Sequence, residues 1–253
     1  MKLFFRELGG NGRPLLILHG LFGSSKNWIT NGKALSANRK VILLDLRNHG
    51  DSPHSNSHTL VDLADDLKEF TESLNDKPDI LGHSMGGMTA CLFALKYPHL
   101  LQKLIVVDIA PRTYPVKFGK EFEALELDVS HAKTRDEIDA RMSSILPDGF
   151  LRQFLQMNLE KTELGYRWKL NISALKSNRA QALEFPTGLT PFSGESLFIL
   201  GEKSEYIQES DPPTILSLFP NAEITTILGA SHYLHYFQAE EFLKICRKFL
   251  ENS

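Results

Sequence analysis

The sequence predicts an α/β protein with a mostly parallel sheet flanked by helices, on three observations. Apolar runs of strand length alternate with helix-period segments; the runs are continuously Val/Ile/Leu rather than alternating with polar residues; and several end abruptly at a polar residue. Such strands are expected where helices cover both faces of the sheet. The 253 residues, 42% hydrophobic and 23% charged, suit a globular chain with a buried core and exclude disordered, collagen-like and coiled-coil classes.

In chain order, Leu15-Leu16-Ile17-Leu18 forms a strand ending at His19-Gly20, and Val41-Ile42-Leu43-Leu44 forms another ending at Asp45. Leu60, Leu63, Ala64, Leu67, Phe70 and Leu74 recur at helical spacing, and the acidic residues Asp62, Asp65, Asp66, Glu69 and Glu72 read as the solvated face of that helix. Ile80-Leu81 is a short apolar step before a helix that starts at Met85 and stops before Pro98. Leu104-Ile105-Val106-Val107 ends at Asp108. Late strands fit 197–200 and 224–228, and a last helix fits 239–250 with Phe242, Ile245 and Phe249 inward.

Between about Arg112 and Leu189 the alternation breaks. The stretch is helix-like, punctuated by Pro115, Pro147 and Pro186, with a strand-like patch from Tyr166 to Leu170. The expected organisation is therefore a core of residues 1–111 and 190–253 with a helical cap inserted at 112–189, after the sixth strand.

A net charge of −3 and the lack of any basic, aromatic-interleaved patch argue against nucleic acid and anionic membrane, leaving a small molecule as the expected partner. The N-terminus reaches charge too soon for a signal peptide, no apolar run is long enough for stable membrane insertion, and Cys91 and Cys246 read as reduced core thiols. A cytoplasmic location is expected; oligomeric state is not readable.

Gly82-His83-Ser84-Met85-Gly86 carries the chemistry. A serine on a tight strand-to-helix turn needs neighbours without side chains, and here a strand precedes the pentapeptide and a helix follows it. Ser84 then points into a cleft, with the Met85 N–H at the helix start free to bind an oxyanion. The serine needs a base that titrates near neutrality, and of nine histidines His232, in Gly229-Ala230-Ser231-His232 after the last strand, stands where chain order puts it. His235 competes, placed at a helix start or cap-facing surface. His49, His54 and His58 read as an exposed loop without metal-ligand spacing, and Asp45, Arg47, His49 and Ser52 as loop structure. Asn48 suits a left-handed turn.

With His19-Gly20-Leu21-Phe22-Gly23, the run Asp45 to Ser52, the Ser84 elbow and the His232 segment in this order, the chain resembles the α/β-hydrolases over nearly its whole length. Arg47-Asn48-His49-Gly50-Asp51-Ser52-Pro53, Gly82-His83-Ser84-Met85-Gly86-Gly87 and Val107-Asp108-Ile109-Ala110-Pro111 resemble more narrowly the bacterial YbfF-type esterases and related abhydrolase-domain proteins. The resemblance implies an α/β-hydrolase fold and cleavage of carboxylic esters or acyl thioesters by a serine esterase or thioesterase, with no metal or cofactor. It also implies a catalytic triad, with Leu21 as the second backbone oxyanion donor beside Met85.

The acid is open. The usual Gly-x-x-Asp after strand 197–200 reads Gly201-Glu202-Lys203-Ser204, so the acid is either Glu205 or Asp108, the position where the YbfF-type relatives carry theirs and the one favoured. A turn aspartate bonding the backbone of Ile109 and Ala110 is the bland reading of Asp108. Phe22, His83, Phe118, Phe122, Phe154 and Trp168 are the expected substrate-binding residues, with cap packing as the competing role for the aromatic ones. The same triad can serve C–C bond hydrolysis, elimination or perhydrolysis, or stand unused in a ligand-binding protein.

Overall fold

The computed structural model describes residues 1–251. In chain order the elements are β1 (Phe5–Gly9), β2 (Leu15–Leu18), α1 (Ile29–Leu35), β3 (Lys40–Leu44), α2 (Leu60–Glu72), β4 (Asp79–His83), α3 (Met85–Lys96) and β5 (Leu104–Val107). They continue as α4 (Gly119–Leu125), α5 (Arg135–Ser143), α6 (Gly149–Gln156), β6 (Leu159–Lys161), β7 (Tyr166–Trp168) and α7 (Ile172–Ser177). The chain closes with β8 (Ser196–Gly201), α8 (Asp211–Leu218), β9 (Ala222–Ile227), α9 (Leu234–Phe237) and α10 (Ala239–Glu251).

Seven strands make one sheet in the order β1-β3-β2-β4-β5-β8-β9, parallel throughout except for the edge pair β1/β3. The period of two sorts side chains cleanly between its faces. Leu16, Leu18, Ile42 and Leu44 pack with α2 and α3 on one side, whereas Leu15, Ile17, Val41 and Leu43 pack with Trp28 and the Phe242, Cys246 and Phe249 face of α10 on the other. Both faces are thus covered at the centre of the sheet, which is why β2, β5 and most of β3 are continuously apolar, whereas the edge strands β1 and β9 carry polar residues. Among the described residues no helix is long and apolar enough to cross a membrane.

Between β5 and β8 lie α4 to α7 and the antiparallel β6/β7 hairpin, with an apolar cluster of their own built on Phe122, Leu125, Ile138, Met142, Leu155 and Leu175. This insertion follows the fifth strand, not the sixth, because a single strand precedes Leu15–Leu18 and pairs antiparallel on β3.

Of the three histidines read as part of an exposed loop, His54 is exposed and the other two are not. His49 and His58 are fully buried, as are Asp45 and Asn48, and Arg47 is nearly so. The insertion is bonded to this segment: Asn171 donates its backbone N–H to Asn48 O and its side-chain amide to Asn48 Oδ1, both at 3.0 Å, and Asn178 donates to Asn56 O at 2.8 Å. Asn48 takes its left-handed conformation at φ +65. Asp66 of α2, expected on the solvated face, is buried because Arg47 reaches it through Nε (2.5 Å) and Nη2 (2.8 Å).

Removing one partner of a buried ion pair strands the other charge, which costs about 3–5 kcal/mol. Asp62 stays within 3.0 Å of Arg47 as a second partner, so Asp66→Ala is expected to lower unfolding stability toward the lower end, about 3 kcal/mol. Urea denaturation measures it, and a loss under about 1 kcal/mol would mean that the pair is solvated in practice.

Candidate active site

The site assembles at the C-terminal ends of the central strands, where an open parallel sheet leaves its crevice. β4 ends at His83 and α3 begins at Met85, leaving Ser84 alone on the turn at φ +53, ψ −119. The turn is held by Ser84 N–H to Val107 O (3.1 Å) and Met88 N–H to Ser84 O (2.9 Å). Glycine is required around it by contact. A Cβ on Gly82 would stand 2.2 Å from Gly86 O, and one on Gly86 2.6 Å from both Leu18 O and His19 O. Strand, turn and helix pack backbone to backbone here, and no side chain fits between them.

Asp108 follows β5 directly at φ +55 and is fully buried. Its carboxylate turns away from Ile109 and Ala110. Oδ1 accepts from Gly201 N–H at 2.7 Å, while Oδ2 accepts from the Ser204 hydroxyl and stands 2.7 Å from His232 Nδ1. Every partner is a donor, so the ionised carboxylate suits the place. The contact with Nδ1 fixes the imidazole tautomer that leaves Nε2 unprotonated. Glu205 is exposed at the cavity rim and has no bond to His232. The serine at the position that usually carries the acid therefore faces Asp108 rather than the histidine.

His232 is further held by two neighbours. His83, inside the elbow, lies 3.0 Å through Nε2 from the His232 carbonyl, and the Tyr206 ring stacks on the imidazole with centroids 3.9 Å apart and planes at 26°. Burial pushes the Tyr206 phenol up to about 12, so it stays neutral. The same cause holds the His83 imidazole well below its usual range, with His235 and His232 beside it adding to the effect. His235 sits at the start of α9 as expected, but it is buried and stacked on Trp28 (4.4 Å, 7°), and its pKa is pushed down to about 3. Such a ring is a packing element, not a base.

Ser84 and His232 line one cavity of about 290 Å³. Leu21, Phe22, His83, Phe118 and Phe154 line it too, together with Lys117, Glu121, Leu151, Tyr206 and Tyr233. Two expected binding residues are elsewhere. Phe122 is buried behind the wall with its ring edge-on to Phe22 at 5.1 Å, because the inward face of α4 turns it into the apolar cluster of the insertion. Trp168 lines a separate cleft of about 500 Å³ with Leu125, Tyr166 and Ile172, because the β6/β7 pairing sets it against Leu159. No histidine lines that cleft.

Tyr206, Tyr233, Lys117 and Glu121 were not expected at the site. Tyr206 and Tyr233 lie two residues after Ser204 and one after His232, a proximity in the chain that could have flagged them. For Lys117 and Glu121 the sequence carries no such signal. Among the described residues the N–H groups of Leu21 and Met85 have no hydrogen-bond partner, and no group of three or more His, Cys, Asp or Glu is arranged to hold a metal ion.

Residues 13–239 match the family model described as alpha/beta hydrolase fold. The chain is 37% identical over 246 residues to a Mus musculus protein named sn-1-specific diacylglycerol lipase ABHD11, covering 93% of this chain and 80% of that one. It is 30% identical over 245 residues to Escherichia coli (strain K12) esterase YbfF, covering 96% and 94%. A solved structure described as a marine microorganism esterase superposes with a TM-score of 0.94 at 42% identity, covering 98% of each chain.

Proposed function

Because the chain belongs to the α/β-hydrolase family, and is an esterase/lipase-type hydrolase by its relatives, we propose that it cleaves carboxylic esters or acyl thioesters through an acyl-enzyme on Ser84. The observation that carries the reading is the 2.7 Å contact of buried Asp108 with His232 Nδ1, in a cavity that Ser84 also lines.

Ser84 Oγ attacks the acyl carbonyl while His232 Nε2 takes its proton. The imidazolium so formed is stabilised by Asp108, whose charge is kept in place by Gly201 N–H and Ser204. Negative charge gathers on the carbonyl oxygen, where the N–H groups of Leu21 and Met85 meet it; the second lies at the positive end of α3. His232 then hands the proton to the departing alcohol or thiol. Water, activated by the same nitrogen, releases the acid and restores Ser84. No cofactor enters any step. Residues 112–189 act as the cap that closes the acyl site, with Phe118, Leu151 and Phe154 as its apolar wall. Two buried free thiols, Cys91 and Cys246, suit a cytoplasmic setting.

The cavity, about 290 Å³, stands at the small end of the roughly 300–1,000 Å³ usual for small-molecule sites. Short acyl chains are therefore expected to turn over fastest. In a panel of esters and matched thioesters with one leaving group, kcat/KM should fall about tenfold or more from short to long fatty-acyl chains. A profile that rises with chain length would move the acyl site out of this cavity, and no turnover of any member would favour a binding role.

A further inference from the structure

The segment from Arg47 to Ser52 brings a histidine to the site that the proposed chemistry leaves unused. His49 is fully buried, 0% exposed, and its ring is held between two backbone groups. Nε2 accepts from the Phe22 N–H at 3.3 Å, which puts the ring proton on Nδ1, and Nδ1 donates to the Arg47 carbonyl at 2.9 Å. The other side of Phe22 is gripped as well: its carbonyl accepts from Asn158 Nδ2 at 2.7 Å, and Asn158, between α6 and β6, is itself buried.

Phe22 needs this grip. It stands at φ +63, a left-handed conformation that a bulky side chain adopts only when its surroundings enforce it. The neighbouring residues bear directly on the nucleophile. A Cβ on Gly20 would lie 3.2 Å from Ser84 Cβ, so the loop that presents the Leu21 N–H runs against the elbow. Strain of this kind is a feature of pre-organised sites.

We propose that His49 and Asn158 are positioning residues that clamp Phe22 at its N–H and at its C=O, on either side of its Cα, and thereby hold the Leu21 N–H where the oxyanion forms. The inference rests on Ser84 being the nucleophile. His49 performs its part only as the neutral imidazole, since a second proton on Nε2 would turn the acceptor into a donor facing a donor. Burial keeps that proton off, and His19, His58 and His54 around the ring reinforce it. Asn158 belongs to the insertion, so the seating of the cap and the shape of the oxyanion loop meet at one residue, Phe22.

The test compares His49→Leu, His49→Gln and Asn158→Ala in the full-length protein, reading kcat and KM on a short-chain ester, the rate of fluorophosphonate labelling of Ser84, and thermal melting. His49→Leu is expected to lower kcat and the labelling rate by about tenfold to a hundredfold with KM nearly unchanged, because the donor it misplaces acts on the transition state. His49→Gln, which can set an acceptor near the place of Nε2, is expected to restore most of the loss. Normal kcat in His49→Leu, or equal losses in the Leu and Gln variants that track melting temperature, would overturn the proposal. If His49→Leu does not fold, Asn158→Ala decides: a kcat loss at steady KM supports the clamp, and an unchanged kcat overturns it. Labelling of the wild type at Ser84 separates these outcomes from failure of the nucleophile assignment itself.

Discussion

Ser84→Ala is expected to abolish turnover, with kcat falling about a millionfold, as when the nucleophile of a coupled triad is removed. The change deletes one oxygen from a half-buried side chain and leaves the elbow intact: the turn is closed by backbone bonds to Val107 and Met88, and alanine meets the same contacts at φ +53 as serine does. Melting temperature should stay where it is. Intact mass after exposure to a fluorophosphonate makes the result unambiguous, with one adduct on the wild type and none on the variant. Retained turnover would point to another nucleophile, and a wild type that takes no adduct would favour a ligand-binding role for the fold.

How far the sequence carried this reading depended on whether a feature was local. Ser84 and Asp108 follow a strand directly and His232 comes five residues after one, so their motifs could be read from apolar runs and their ends; Ser84 and His232 line one cavity, and His232 meets Asp108. The apolar stripe of α2 and the inward Phe242 and Phe249 of α10 were legible for the same reason, because helical spacing is a property of the chain alone. What escaped was fixed by contacts between distant segments. The surroundings of His49, His54 and His58 look like a solvated loop in composition, yet His49 is buried against the Phe22 N–H and its neighbour Asn48 lies under Asn171 of the insertion, some 120 residues further on. The strand edge decided Trp168: its pairing with Leu159 sends the indole to a cleft away from Ser84. Ser204 could be flagged as standing in the place of the usual acid, but its donation to Asp108 needs β5 and β8 side by side.

Asp108→Asn is expected to cost about ten-thousandfold in kcat while Glu205→Gln costs little, and the bonds around the carboxylate say why. Gly201 N–H needs an acceptor at Oδ1, so an asparagine must place its oxygen there and turn its NH₂ toward Ser204 and His232. The opposite flip would set two donors against each other in a fully buried place. Ser204 adapts by rotating its hydroxyl to accept. His232 cannot adapt without loss: an NH₂ facing Nδ1 forces the ring proton onto Nε2, and a protonated Nε2 is unable to take the proton from Ser84. The variant keeps its shape and its hydrogen bonds, so melting should change little and KM should hold, while the base is in the wrong tautomer and no charge remains to stabilise an imidazolium. Steady-state kinetics of the two variants on the same ester decide the acid. A large loss in Glu205→Gln with Asp108→Asn near wild type would transfer the role to Glu205, and equal small losses in both would mean that His232 works without a carboxylate partner.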